Sequence, residues 1–270
     1  MVRLVVSDID GTLVDGSEQL TPDAYALADY LKSKRILFSL ATGRVQGMAQ
    51  PYVDELNIHV PYVTANGAAL LKDGETLRRY TFALNPIRDV IHAADQMGMT
   101  IIYSQDGFEL VHQLTPFVAA QRLQFDRYQT VVPLTEAFLT TRRLEKLCLM
   151  DDTQSGRISL LEQMLTGIDG GFEYTRYQDR AIELVCAGRT KAAGVADLSQ
   201  YLHIDLADVM CIGDDENDLE MLSQAGVSAT VQNALPKVKH SVQLVASRDH
   251  ASGVLEAVRQ VVEHQAAGEI

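Results

Sequence analysis

Cysteine is scarce in this chain. Cys148, Cys186 and Cys211 stand far apart, each inside an apolar run. An odd count at such spacings fits neither a disulfide framework nor a zinc site, so buried, reduced thiols in a cytoplasmic protein are expected. Positive charge is also short. The 23 Lys and Arg face 36 Asp and Glu, the formal net charge is −13, and no basic run offsets it locally. Nucleic acid and anionic membranes both need a basic face, which argues against either as partner. An anionic small molecule remains compatible if cations gather at its site. No apolar stretch is long enough to span a bilayer, and residues 1–7, ahead of Asp8, leave no room for a signal peptide. The patterns GxxxxGK[ST] and GxGxxG are missing, so neither the P-loop nor the dinucleotide fingerprint applies. Calcium loops starting at Asp8 or Asp214 fail too, because the glycine such a loop needs at its sixth position is Leu13 or Leu219.

What is present is a rhythm. Strand-like runs at 3–7, 36–41 and 62–65 alternate with helical patterns at 21–34 and 46–56. Thr21 suits the N-cap of the first helix and Pro22 its first turn, while Pro51 interrupts the second. The rhythm returns near the C-terminus, with helices at 191–202, 219–225 (ended by Gly226) and 253–265, and strands at 209–212, 227–231 and 244–246. This predicts an α/β fold whose core is a doubly wound, Rossmann-like parallel sheet. The middle differs. Runs at 100–104 and 108–111 flank Gln105-Asp106-Gly107, a hairpin signal. Strands at 146–150 and 181–185 and a helix at 154–165 complete an α+β pattern. The expected division is a core of residues 1–82 and 187–270 with an inserted α+β domain at 83–186, and no internal repeats.

Two acidic clusters follow core strands. Asp8-Ile9-Asp10-Gly11-Thr12 follows the first, and Asp8 and Asp10, at i and i+2, fall on one side of an extended chain. An Asx-type turn would account for one of them more easily than for both. Gly213-Asp214-Asp215-Glu216-Asn217-Asp218 follows the strand at 209–212. Acidic residues at a helix start complement its dipole, but that does not explain why both groups follow core strands. In one parallel sheet, Asp8, Asp10, Asp214 and Asp218 would converge at the carboxyl edge, where open α/β sheets bind ligands. Such crowding calls for a cation, and oxygen-only donors favour Mg²⁺ over zinc. Thr42-Gly43-Arg44 follows the second strand and has the makings of a phosphate cradle, although taken alone it reads more readily as a plain Thr-Gly turn. Lys191 is the only lysine between Lys146 and Lys237.

Together these features resemble the four motifs of the haloacid dehalogenase-like phosphatases: Asp8-x-Asp10-Gly11-Thr12, Thr42-Gly43-Arg44, Lys191, and Gly213-Asp214-x-x-Asn217-Asp218. The insertion between the second and third motifs, with Asn66-Gly67-Ala68 and Asn233-Ala234, resembles the Cof-like branch. Ala192 stands where that family usually has glycine. The resemblance implies a Mg²⁺-dependent phosphatase acting on a small phosphorylated metabolite, such as a sugar phosphate. It implies Asp8 as nucleophile forming an aspartyl-phosphate, Asp10 as acid and base, and Thr42, Gly43, Lys191, Asn66 and Asn217 at the phosphoryl group. Asp8, Asp10 (through its backbone carbonyl), Asp214 and Asp218 would form the metal environment. The inserted domain would be a cap that selects substrate, with His112, Arg122, Arg176 and Arg180 as polar candidates. A phosphomutase of the same superfamily and a silent regulatory protein are the competing readings; the chain gives no oligomeric state.

Overall fold

A computed structural model describes residues 1–267 apart from 126 and 129. The last three residues of the expected core, 268–270, lie outside that description. The chain divides into two compact units, one of residues 1–78 with 189–270 and the other of 79–188.

In the first unit, β1 (Leu4–Ser7), α1 (Pro22–Ser33), β2 (Leu37–Leu40) and α2 (Gln46–Glu55) follow the predicted order. Thr21 takes the extended N-cap conformation and Pro22 the first turn, as read from the sequence. Pro51 sits inside α2, which persists because Ala49, Tyr52 and Val53 are buried in the core. β3 (Tyr62–Thr64) departs from the expected parallel winding. It touches the end of β2 through one parallel bridge, Ala41 to Val63. Its ladder is antiparallel, with β4 (Ala69–Lys72), and β5 (Glu75–Arg79) extends that sheet.

The second unit opens with β6 (Phe82–Ala83) and α3 (Arg88–Gln96). β7 (Thr100–Gln105) and β8 (Phe108–Val111) form the predicted hairpin. Asp106 and Gly107 form its two-residue turn, both with positive φ. Then come α4 (Pro116–Phe125), α5 (Glu136–Thr141), β9 (Arg143–Leu144), β10 (Lys146–Met150), α6 (Ile158–Leu165), β11 (Phe172–Tyr177) and β12 (Ala181–Cys186). α6 starts four residues later than predicted. The Asp151 carboxylate accepts from the amides of Thr153 and Ser155, both at 3.1 Å, and pairs with Arg157 at 2.6 Å. These local bonds hold 151–157 as a turn in competition with a helix. The sheet β11-β12-β10-β7-β8 is antiparallel, and a separate core packs α3 and α6 on one face through Ile91, Leu161, Tyr103 and Leu147.

The chain returns to the first unit through α7 (Lys191–Leu202), β13 (Val209–Ile212), α8 (Leu219–Gln224), β14 (Val227–Thr230), α9 (Pro236–Lys239), β15 (Leu244–Val245) and α10 (His250–Ala267). α10 begins three residues before the expected start. The five-stranded sheet runs β15-β14-β13-β1-β2, all parallel. Every β1 and β13 side chain is buried, as a two-faced parallel sheet requires. Register pairs Ser7 with Ile212 and with Leu40, so the loops carrying Asp8, Thr42 and Asp214 leave the same edge. Cys211 is buried, but Cys148 and Cys186 are half-buried; all three are free thiols. No helix among the described residues is long and apolar enough to cross a membrane.

Candidate active site

The site is built where β1, β2 and β13 end. Asp8 continues β1, its amide still donating to the Ile212 carbonyl at 2.9 Å. Gly11 then turns the chain with φ +80°. A Cβ there would come within 2.2 Å of Asp214 Oδ2, so glycine is what lets the two acidic loops approach. The Gly11 carbonyl is gripped by Asn233 Nδ2 at 2.7 Å and lies 2.9 Å from His250 Nδ1.

Carboxylate oxygens of Asp8, Asp214 and Asp218 lie within 4.8 Å of one another. Lys191 Nζ reaches Asp8 Oδ1 at 2.8 Å and Asp218 Oδ1 at 2.7 Å, with all three side chains almost fully buried. Burial alone would favour neutral lysine, but Asp218 and Asp8 outweigh it and hold the Lys191 ammonium charged. Burial pushes Asp8 well above the usual carboxylate range, against the pull of Lys191. It pushes Asp214 up to about 6, opposed by the Thr12 hydroxyl donating to its carboxylate. One lysine cannot balance three crowded carboxylates, so an all-oxygen cluster of this charge fits a hard divalent cation.

Asp218 is already engaged. Its Oδ1 takes Lys191, and its Oδ2 accepts the amides of Asp214 and Asp215 at 2.9 and 3.1 Å. Asp10 is close in sequence yet its carboxylate stands outside the cluster, bound by Arg44. Thr42 is fully buried, and its hydroxyl accepts the Arg44 amide at 3.1 Å. Ala65 and Asn66 both have positive φ and donate their amides to the Arg44 and Thr42 carbonyls at 2.8 and 3.0 Å. Asn66 Oδ1 accepts Asn217 Nδ2 at 3.3 Å, linking the turn after β3 to the fourth motif loop; Gly43 lies against Asn66. Ala192 does not disturb Lys191. Thr190 caps the helix by accepting the Ala193 amide, and Ala192 is itself buried.

The polar candidates of the inserted unit are not brought together. His112 bonds Asp95, Arg122 binds the Tyr128 carbonyl, Arg176 pairs with Glu162 and Asp179, and the Arg180 backbone carbonyl accepts the Asp151 amide. Sequence reading missed a different set: Lys146, with Glu109 at 3.4 Å and Glu183 at 3.5 Å. Burial opposes the Lys146 charge, yet Glu183 and Glu109 outweigh it. Ser104 is the cross-strand neighbour of both Glu109 and Lys146, so alternation along the strands was the available signal.

This arrangement defines a hydrolase of the haloacid dehalogenase class. A family model described as haloacid dehalogenase-like hydrolase matches residues 5–258, and the chain belongs to that family, in its Cof-like branch. The chain is 26% identical over 273 residues to YxeH of Bacillus subtilis (strain 168), which carries a provisional phosphatase designation; the match covers 97% of this chain and 99% of YxeH. Its fold is that of TM0651 from Thermotoga maritima (TM-score 0.83, 20% identity, 96% and 97% of the two chains). It is also that of BT1666 from Bacteroides thetaiotaomicron, studied among phosphatases of the superfamily (TM-score 0.78, 22% identity, 96% and 95%). A third similar structure is the sugar phosphatase BT4131 (TM-score 0.79, 20% identity, 97% and 99%). The enzyme class expected from the sequence, a phosphatase, is the one this family assignment and the YxeH relation support.

Proposed function

We propose that the chain hydrolyses small phosphate monoesters, sugar phosphates being the leading class, with Asp8 as nucleophile and Mg²⁺ as cofactor. One observation carries the reading: a buried ammonium, Lys191, joins Asp8 to Asp218 beside Asp214 at the carboxyl edge of the sheet. Asp8, Asp214 and the Asp10 carbonyl would hold the ion. When bound, Mg²⁺ supplies positive charge to the phosphoryl oxygens. Asp218, expected in the metal environment, belongs to the same carboxylate cluster and would also fix Lys191 and the Asp214 loop.

In the first step an Asp8 carboxylate oxygen bonds to phosphorus as the ester P–O bond breaks, and Asp10 gives its proton to the departing oxygen. In the second, water attacks phosphorus and Asp10 takes its proton, which frees phosphate and restores Asp8. Lys191 and the Thr42–Gly43 turn would neutralise and orient the phosphoryl oxygens, and Asn66 and Asn217 would brace that turn. The inserted unit is assigned to substrate choice; its Glu109–Ser104–Lys146 row is almost fully buried. The named activity of BT4131 supports the sugar phosphate class. The free thiols are compatible with a cytoplasmic setting. Phosphate release from a panel of phosphorylated metabolites, with Mg²⁺ and with EDTA, tests this. Mg²⁺-dependent release from one class is expected. Conversion of a sugar phosphate to its isomer without release would establish a mutase instead.

A further inference from the structure

Arg44 closes the Thr42-Gly43-Arg44 turn, and neither the motif reading nor the mechanism above gives it a role. Its side chain is only 6% exposed. Nε donates to Asp10 Oδ2 at 2.8 Å and Nη2 to Oδ1 at 2.5 Å, a two-pronged grip that fixes the plane of the carboxylate. The guanidinium is itself anchored from behind. Nη1 donates to the Tyr52 hydroxyl at 3.0 Å, the group stacks 4.8 Å from the Tyr52 ring centre, and Glu18 lies at 3.5 Å. The Tyr52 hydroxyl in turn donates to the Glu18 carbonyl at 2.8 Å. Asp10 is the solvent-facing member of the pair, its side chain 54% exposed.

A divalent cation among Asp8 and Asp214 would attract any further carboxylate within reach, and Asp10 is two residues from Asp8. The grip of Arg44 opposes that capture. We propose that Arg44 is a positioning residue: it holds the Asp10 carboxylate out of the acidic cluster, so that this carboxylate serves proton transfer while only the Asp10 backbone carbonyl faces the ion. This rests on the phosphatase reading above. Arg44 is assigned no contact with the substrate; it acts through the Asp10 carboxylate.

The test compares kcat/KM for an alkyl ester, glycerol phosphate, with that for 4-nitrophenyl phosphate. An alkoxide needs a proton to leave, whereas 4-nitrophenolate does not, and kcat/KM reports the step in which the ester bond breaks. Arg44→Met is expected to lower kcat/KM about 100-fold on the alkyl ester, and about threefold at most on the aryl ester. Because the second step also uses Asp10, this variant should show a burst of 4-nitrophenolate. Arg44→Lys should recover about tenfold of the alkyl activity, since it restores the charge without the fork. Tyr52→Phe removes only the rear anchor and should show the same selective loss, about threefold, which keeps the question open to test if Arg44→Met fails to fold. Equal losses on both esters would mean a structural role and overturn the proposal, as would no loss on either. A wild-type protein that releases no phosphate from these esters or from any member of the metabolite panel would remove the phosphatase reading and this inference with it, an outcome visible before any variant is made.

Discussion

At the scale of single residues, burial and charge count decide the chemistry. Asp8 lies beside a lysine that remains protonated, and Asp8→Asn should cost at least about 10³-fold in turnover while leaving the fold intact. Full activity in that variant, measured as phosphate release, would end the covalent mechanism. Asp214 gives a prediction with a definite sign. Its carboxyl is raised from the usual 3.8 to about 6 by burial, so in the metal-free protein its ionisation opposes folding, and that cost grows as pH rises from about 4 through 6. Asp214→Asn removes the cost while keeping an acceptor for Thr12. The metal-free variant should therefore be more stable than wild type at pH 7, by on the order of 1–2 kcal/mol after allowing for partial exposure, and the gap should close towards pH 4. Adding Mg²⁺ should reverse the ranking, because only wild type gains a bound ion. Thermal melts at pH 4.5, 6 and 7, with and without Mg²⁺, check this. A gap that does not change with pH would show that Asp214 ionises normally.

At the scale of elements, α7 places Lys191, and two glycines set how closely it packs. A Cβ on Gly194 would meet Val63 Cγ1 at 2.3 Å and the Gly67 Cα at 3.0 Å. Gly194→Ala must therefore push α7 away from β3, at a cost of about 1–3 kcal/mol. Because Lys191 opens the same helix, kcat should fall about tenfold or more. Lost stability with unchanged kcat would mean that the helix yields at its far end and leaves Lys191 in place. How far such details were legible depends on where the information lies. α7 was read to its bounds, 191–202, as a helix opening at Lys191. The β4–β5 hairpin was passed over although Asp73-Gly74 marks its turn, because the βαβ rhythm drew β3 into the parallel sheet. The carboxylates and Lys191 were visible as motifs. The engagement of Asp218 by two amides, and the capture of Asp10 by Arg44, arise from loop geometry that no local pattern encodes. Lys146 went unnoticed because its partners sit on β8 and β12, distant in sequence and adjacent only across strands.

At the scale of the whole molecule, a strongly negative chain must admit a negative substrate. The formal net charge is −13, while the cations placed at the proposed phosphoryl site are Lys191 and the divalent ion. Those charges act over a few ångströms. Beyond about 10 Å, at ordinary ionic strength, an approaching phosphate dianion responds to the summed field of the surface. That field repels it, so screening should help encounter before it weakens binding. kcat/KM for a dianionic ester should then rise about two- to threefold as KCl goes from 10 to 100 mM at fixed Mg²⁺, with kcat nearly constant, because the buried ion pairs of Lys191 are poorly screened. A substrate carrying an extra positive charge separates this from a general salt effect: with its net charge reduced to −1, its salt dependence should be smaller. A steady fall of kcat/KM with salt for the dianion would mean that the local cations govern approach as well as binding. The acidic surface would then serve solubility alone, and the positive field of Lys191 with the proposed divalent ion would extend well beyond the sheet edge that bears it.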